Sequence, residues 1–110
     1  MKLPNAERAV VEIGKHHDYC LDPNHARGKH KARVFLSSCG LTAEHADDLR
    51  DALLSAARTS DVELRDEDTF GQRYVIDFQV TGPTGAASVR SAWIVRQDEG
   101  FPRFVTCYVM

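Results

Sequence analysis

No apolar run in this sequence approaches the ~18 residues that a membrane-spanning helix requires, so a helical span is excluded. Cysteine is sparse. Cys20, Cys39 and Cys107 are odd in number and widely spaced, which argues against a disulfide framework. The opening Met1-Lys2-Leu3-Pro4-Asn5 lacks the apolar stretch of a signal peptide, and the expected location is cytoplasmic. A Gly-rich phosphate loop is missing, which excludes the common nucleotide-hydrolysing class. The His-Glu-x-x-His pattern and the nucleophile elbow are missing too, which speaks against zinc peptidases and serine or cysteine hydrolases. There is no internal repeat, low-complexity tract or linker, so the expectation is one domain over residues 1–110.

What is present is an ordinary globular composition, with 43% apolar and 27% charged residues. The net charge of −2 hides an asymmetry. Residues 1–35 carry a balance of +3 and four of the five histidines, residues 41–68 a balance of −6, and residues 69–110 a balance of +1. A long-range steering field is therefore not available, but a local anion site is.

Hydrophobic periodicity predicts helices first and strands second. Residues 6–11 read as an extended lead-in or a short helix. Residues 13–21 read as a helix that Asp22-Pro23-Asn24 ends, because the residue before proline avoids the helical region. A second helix spans 29–39, with Ala32, Phe35, Leu36 and Cys39 on one face and Gly40 as its C-terminal cap. Thr42 is the expected N-cap of a third helix over 43–58, whose apolar stripe is Ala46, Leu49, Leu53, Ala56 and Ala57. Beyond Ser60 the period changes to two. Strands are expected over 62–68, 72–81, 87–97 and 103–109, with Phe104, Thr106 and Tyr108 sharing a face of the last. Short connections make them an antiparallel meander. The predicted class is α+β: a helical half over about 6–58 and a sheet over about 62–109, with two or three N-terminal helices packed on one face of a four-stranded antiparallel sheet.

The stretch from Asn24 to Arg33 holds Arg27, Lys29, Lys31 and Arg33, with His25 and His30, and no acid. It runs from a loop into a helix start, where unpaired backbone N–H groups attract anions and positive side chains are unfavourable. A phosphodiester would resolve that conflict; a solvated basic turn facing the acidic third helix is the plainer alternative. RNA cleavage through the 2′-hydroxyl needs a base, a cation for the phosphoryl oxygens and an acid for the leaving oxygen. His25, Lys31, Arg90, Tyr108 and His30 are the candidate catalytic residues. Arg27, Lys29, Arg33, Ser91, Arg103 and Thr106 are the candidate substrate contacts. Trp93 reads as core. His16, His17, Cys20 and His25 could approach a metal, but no second ligand pair accompanies them, and neither metal nor cofactor is expected.

The segments Lys2–Ala6, Asp18–His25, Gly28–Phe35, Gly71–Tyr74 and Val89–Val95 resemble a small bacterial family of unknown function. Its motif, His-x-x-Gly-x-x-Lys-Ala-x-x-Phe, falls on His25, Gly28, Lys31, Ala32 and Phe35. The family occurs in toxin-type and phage-head contexts, and the order of helices and strands is similar to that of the barnase–colicin–RelE ribonuclease toxins. The resemblance implies a metal-independent endoribonuclease toxin that acts on RNA and pairs with a small cognate antitoxin or immunity protein. The alternative is a non-enzymatic interaction module, the antitoxin or immunity half of such a pair or an adaptor, docking through acidic Glu44, Asp47, Asp48 and Asp51. No membrane partner is expected.

Overall fold

The computed structural model describes residues 1–11 and 29–110, with Lys29, His30 and Ala43 described by their backbone alone. The expected helix over 13–21 lies outside the described residues, as do Cys20, His25 and Arg27. Helix α1 covers Lys29–Cys39 and helix α2 covers Ala46–Thr59. Strands β1 (Glu63–Asp68), β2 (Gly71–Gly82), β3 (Gly85–Arg96) and β4 (Pro102–Val109) follow, and pair antiparallel in the order β1-β2-β3-β4. The described residues thus form an α+β arrangement of two helices and a four-stranded antiparallel meander.

Alternation along the strands separates an inner set of side chains from an outer one. Tyr74, Ile76 and Val80 of β2, Ala87, Val89 and Trp93 of β3, and Phe104 and Cys107 of β4 are buried. They join Phe35 and Cys39 of α1 and Leu49, Leu53, Ala56 and Ala57 of α2 in one core cluster. Trp93 is fully buried and meets Phe104 edge to face, with ring centroids 5.6 Å apart. Its indole N–H donates to the Ser91 hydroxyl at 2.9 Å, and that hydroxyl donates to the Ile76 carbonyl at 2.9 Å. A buried indole N–H without an acceptor is costly, so this relay is what lets a tryptophan occupy the centre of the sheet.

The N-terminal residues brace both ends of the sheet. Lys2 bridges to Asp61 beside β1, and Leu3 is buried. Residues 6–11 combine both expectations: a 3₁₀ turn over Ala6–Arg8, then an extended bridge from Val10 to Arg103 of β4. Thr42 does not cap α2 directly. Its N–H donates to His45 Nδ1 at 3.0 Å and its carbonyl accepts from the His45 N–H at 2.9 Å, so it heads a 3₁₀ turn over Ala43–His45 that leads into the helix. Leu36 is also misjudged by the pattern and stands 53% exposed. The buried stripe of α1 centres on Phe35, with Ala32 and Cys39, and the next residue lies roughly 100° further round the helix. Gly82 sits where the β2–β3 hairpin touches the end of α1: a Cβ there would lie 2.2 Å from the Cys39 carbonyl oxygen, so only glycine fits.

The last strand departs most from expectation. Phe104, Thr106 and Tyr108 do not share a face. Phe104 pairs with Trp93, but Thr106 pairs with Ala92, so Val105 is an extra residue and the register shifts. This β-bulge sends Thr106 and Tyr108 outward while Cys107 and Phe104 both stay in the core. Cys39 and Cys107 are both fully buried.

Replacing Ser91 by alanine removes the acceptor of the Trp93 N–H with almost no change in volume. The expected loss is about 1–3 kcal/mol, read as a fall of several degrees in the thermal midpoint by circular dichroism. An unchanged midpoint would show that the relay carries no stability.

Candidate functional site

The outer side of the sheet is organised in rows across the strands. Asp77, Arg90 and Tyr108 stand side by side on β2, β3 and β4. Val75, Ala92 and Thr106 form the next row, and Arg73, Ile94 and Arg103 the one beyond. Successive rows are two residues apart along each strand, roughly 7 Å.

In the first row the Arg90 guanidinium grips Asp77 with two parallel bonds, Nε to Oδ1 at 2.8 Å and Nη2 to Oδ2 at 2.9 Å. This fork is the strongest geometry open to an arginine and a carboxylate. The Arg90 hydrogen bonds hold the Asp77 carboxyl below its ordinary range, and burial opposes them only in part. The same bonds raise Arg90, with a smaller hydrogen-bond contribution from Tyr108. Arg90 is therefore fixed on one side by a carboxylate and linked on the other to a phenol, and Tyr108 itself is 38% exposed.

In the second row the Lys31 ammonium, from the first turn of α1, donates to the Thr106 hydroxyl at 2.9 Å. Helix α1 packs against β3 and β4, which carries its N-terminal turn to the sheet edge. No acidic residue occupies that first turn. Lys31, Thr106, Tyr108 and Arg90 are thus brought into one polar strip, with Thr106 and Tyr108 successive outward residues of β4.

The other expected residues lie elsewhere. Ser91 is completely buried and its hydroxyl is committed to Trp93 and Ile76, so it serves the core and not a binding surface. Arg103 stands two rows from Arg90, binds Glu99 through two 2.7 Å bonds and lies 5.1 Å over the Phe101 ring. Arg33 is exposed on α1. Lys29 and His30 open α1, while His25 and Arg27 lie outside the described residues. Asp77 escaped the sequence reading although a signal for it existed. It and Arg90 sit at equal distances from the Pro83-Thr84 turn, the condition for opposite residues of a hairpin.

These coordinates of chemistry belong to a known family and a known shape. Residues 2–110 match the family of domains of unknown function designated DUF6883, and the chain belongs to that family. No curated protein matches. Among solved structures, a chain from a contact-dependent growth inhibition toxin–immunity protein complex of Klebsiella pneumoniae 342 is similar, with a TM-score of 0.70 and 19% sequence identity. The match covers 92% of this chain and 99% of that one. Likeness at such identity shows a shared fold. No helix among the described residues is long and apolar enough to cross a membrane.

The Asp77–Arg90 pair has a definite pH signature. A carboxyl whose folded pKa lies below its ordinary 3.8 adds stability that is fully present above that value and is lost as pH falls through the folded pKa. Both groups are about a third or more exposed, so solvent screening keeps the contribution small. Asp77→Asn should give a shallower loss of urea resistance below about pH 4 than the wild type. Parallel acid limbs for the two proteins would show that the fork contributes nothing in solution.

Proposed function

We propose that this protein is the toxin half of a toxin–antitoxin or toxin–immunity pair and cleaves RNA without a metal in the strip formed by Lys31, Thr106, Arg90 and Tyr108. The observation that carries this reading is the meeting of a lysine ammonium, an arginine fork and a solvent-facing phenol on one side of the sheet. In-line cleavage forms a bond from the 2′-oxygen to phosphorus and breaks the bond to the 5′-oxygen, giving a 2′,3′-cyclic phosphate and a 5′-hydroxyl. Lys31 neutralises charge on the phosphoryl oxygens. Tyr108 gives a proton to the departing 5′-oxygen, with Arg90 orienting it. We assign removal of the 2′-hydroxyl proton to His25, and His30 is the alternative to Tyr108 for the second proton transfer. We assign further phosphate contacts to Arg27, Lys29 and Arg33 by their charge, and Thr106 steers the Lys31 ammonium. The fold shared with a chain of a growth-inhibition toxin–immunity complex supports the setting.

The second reading is the immunity or antitoxin half, acting by binding alone. It is favoured by one feature: all six residues of edge strand β1 are exposed and four are acidic, and the first turn of α2 adds Asp47 and Asp48. Induction of the wild type in a bacterial host decides between the two. A toxin arrests growth and leaves RNA fragments on a denaturing gel. His25→Ala, Lys31→Ala and Tyr108→Phe should each lower the cleavage rate by about 10²-fold or more while the protein remains folded. Normal growth with intact RNA, at high levels of folded protein, would leave only the binding role.

A further inference from the structure

A cavity of about 740 Å³ opens at the end of the sheet beyond the Arg103 row. It is lined by Phe70, Arg73, Ile94, Arg96 and Gln97, and by Arg103 on the β4 side. Its size is that of a small-ligand site. Resting on the ribonuclease reading above, we propose that this cleft is a subsite for one nucleotide of single-stranded RNA, with the base stacked on Phe70 and a neighbouring phosphate held by Arg96 and Arg73.

Phe70 is 70% exposed, the largest exposure of any large apolar side chain in the described structure. It sits in the tight β1–β2 connection, where the core gains nothing from it. The turn is held instead by Asp68, whose Oδ1 accepts from the Phe70 and Gly71 N–H groups at 2.8 and 3.2 Å. An aromatic ring displayed over an arginine-lined hollow is the arrangement that single-strand binders use, since every base has a face to stack.

The ionic arrangement of the cleft leaves one guanidinium for a ligand. Arg103 takes both oxygens of Glu99 at 2.7 Å, while Arg96 approaches the same carboxylate no closer than 3.9 Å and remains half exposed. Arg73 is turned into the cleft by Asp68 at 3.1 Å. Arg96 and Arg73 flank Ile94 on the outward side of β2 and β3, so a phosphate can be shared between them. Asp68, Asp98 and Glu99 offset the arginines, so attraction by charge alone is weak and stacking must carry much of the affinity. Duplex RNA, whose bases are already stacked, is therefore a poor ligand for this cleft.

The cleft also lies in line with the strip proposed for cleavage. Its Arg73–Ile94–Arg103 row adjoins the Thr106 row, and the Tyr108 row follows. A strand whose scissile phosphate meets Lys31 and Tyr108 would reach Phe70 with a nucleotide a few units away.

The test uses the full chain and two probes: a fluorescein-labelled, 2′-O-methylated single strand of about eight nucleotides, which cannot be cleaved, and the same sequence as ordinary RNA. Fluorescence anisotropy should show Phe70→Ala weakening binding of the first probe by about tenfold and Phe70→Trp retaining it. Arg96→Gln should lower the slope of log affinity against log salt by about one. Wild-type protein that does not bind the single strand, or Phe70→Ala protein that binds it within about twofold of the wild type, overturns the subsite. Cleavage of the ordinary RNA is read separately. Phe70-dependent binding without cleavage keeps the subsite and rejects the ribonuclease reading. Cleavage that requires Lys31 but whose KM is unchanged in Phe70→Ala keeps the ribonuclease reading and rejects the subsite.

Discussion

Strand β4 has to satisfy two demands that a regular strand cannot meet together. Its aromatic Phe104 must pack against Trp93, and its Cys107 must lie beside buried Ser91. These residues are three apart, so strict alternation would put one of them in water. The extra residue at Val105 reconciles them: it lets both turn inward and, by the same shift, turns Thr106 and Tyr108 out beside Ala92 and Arg90. The outward chemistry of the sheet is thus a by-product of core packing. Without the bulge, the hydroxyls would enter the core with no partners, at a cost of the order of a lost hydrogen bond each.

The electrostatic plan follows from the same sheet. The acidic part of the chain forms edge strand β1 and the exposed side of α2, where its charges also discourage further strand pairing. The arginines fall on the outward positions of β2, β3 and β4. Three are held closely by a carboxylate, Arg90 by Asp77, Arg73 by Asp68 and Arg103 by Glu99, while Arg96 lies 3.9 Å from Glu99. In all three cases the hydrogen bonds keep the carboxyl below its ordinary range, with the Phe70 backbone N–H leading for Asp68. The result is a nearly neutral surface with its guanidinium groups already oriented. Any anion that bound there would meet donors already ordered, although it would have to compete with the resident carboxylates.

Much of this architecture was legible from the pattern of residues. The change from period 3.6 to period 2 after Ser60, the turn residues at Gly82-Pro83-Thr84-Gly85 and the short connections were enough for four strands in meander order. Trp93 read correctly as core. What failed did so for local reasons. A bulge is one added residue that the pairing strand selects, so Thr106 and Tyr108 could not be assigned a face from their own strand. Leu36 was placed inward because helical spacing allows a broad stripe, and only the contact of α1 with the sheet narrows it to Phe35 and its neighbours. Ser91 looked like a substrate donor because its need to accept from Trp93 is a tertiary fact. Of the candidate site, Lys31, Arg90, Tyr108 and Thr106 were chosen for their chemistry, and the sheet brings them together; Asp77 required the hairpin register.

The start of α1 gives the last physical constraint. A helix N-terminus carries partial positive charge, yet this one opens with Lys29, His30 and Lys31 and has no acid in its first turn. The self-energy of that arrangement is relieved in part by sending the Lys31 ammonium across to the Thr106 hydroxyl. A hydroxyl is a neutral acceptor, so this bond orients the ammonium without cancelling the charge of the helix end. Elsewhere on the outer sheet Arg90, Arg73 and Arg103 each face a carboxylate, whereas the first turn of α1 contributes no acid of its own. An anion placed at this helix end would gain from the unpaired backbone N–H groups of the first turn as well as from the ammonium.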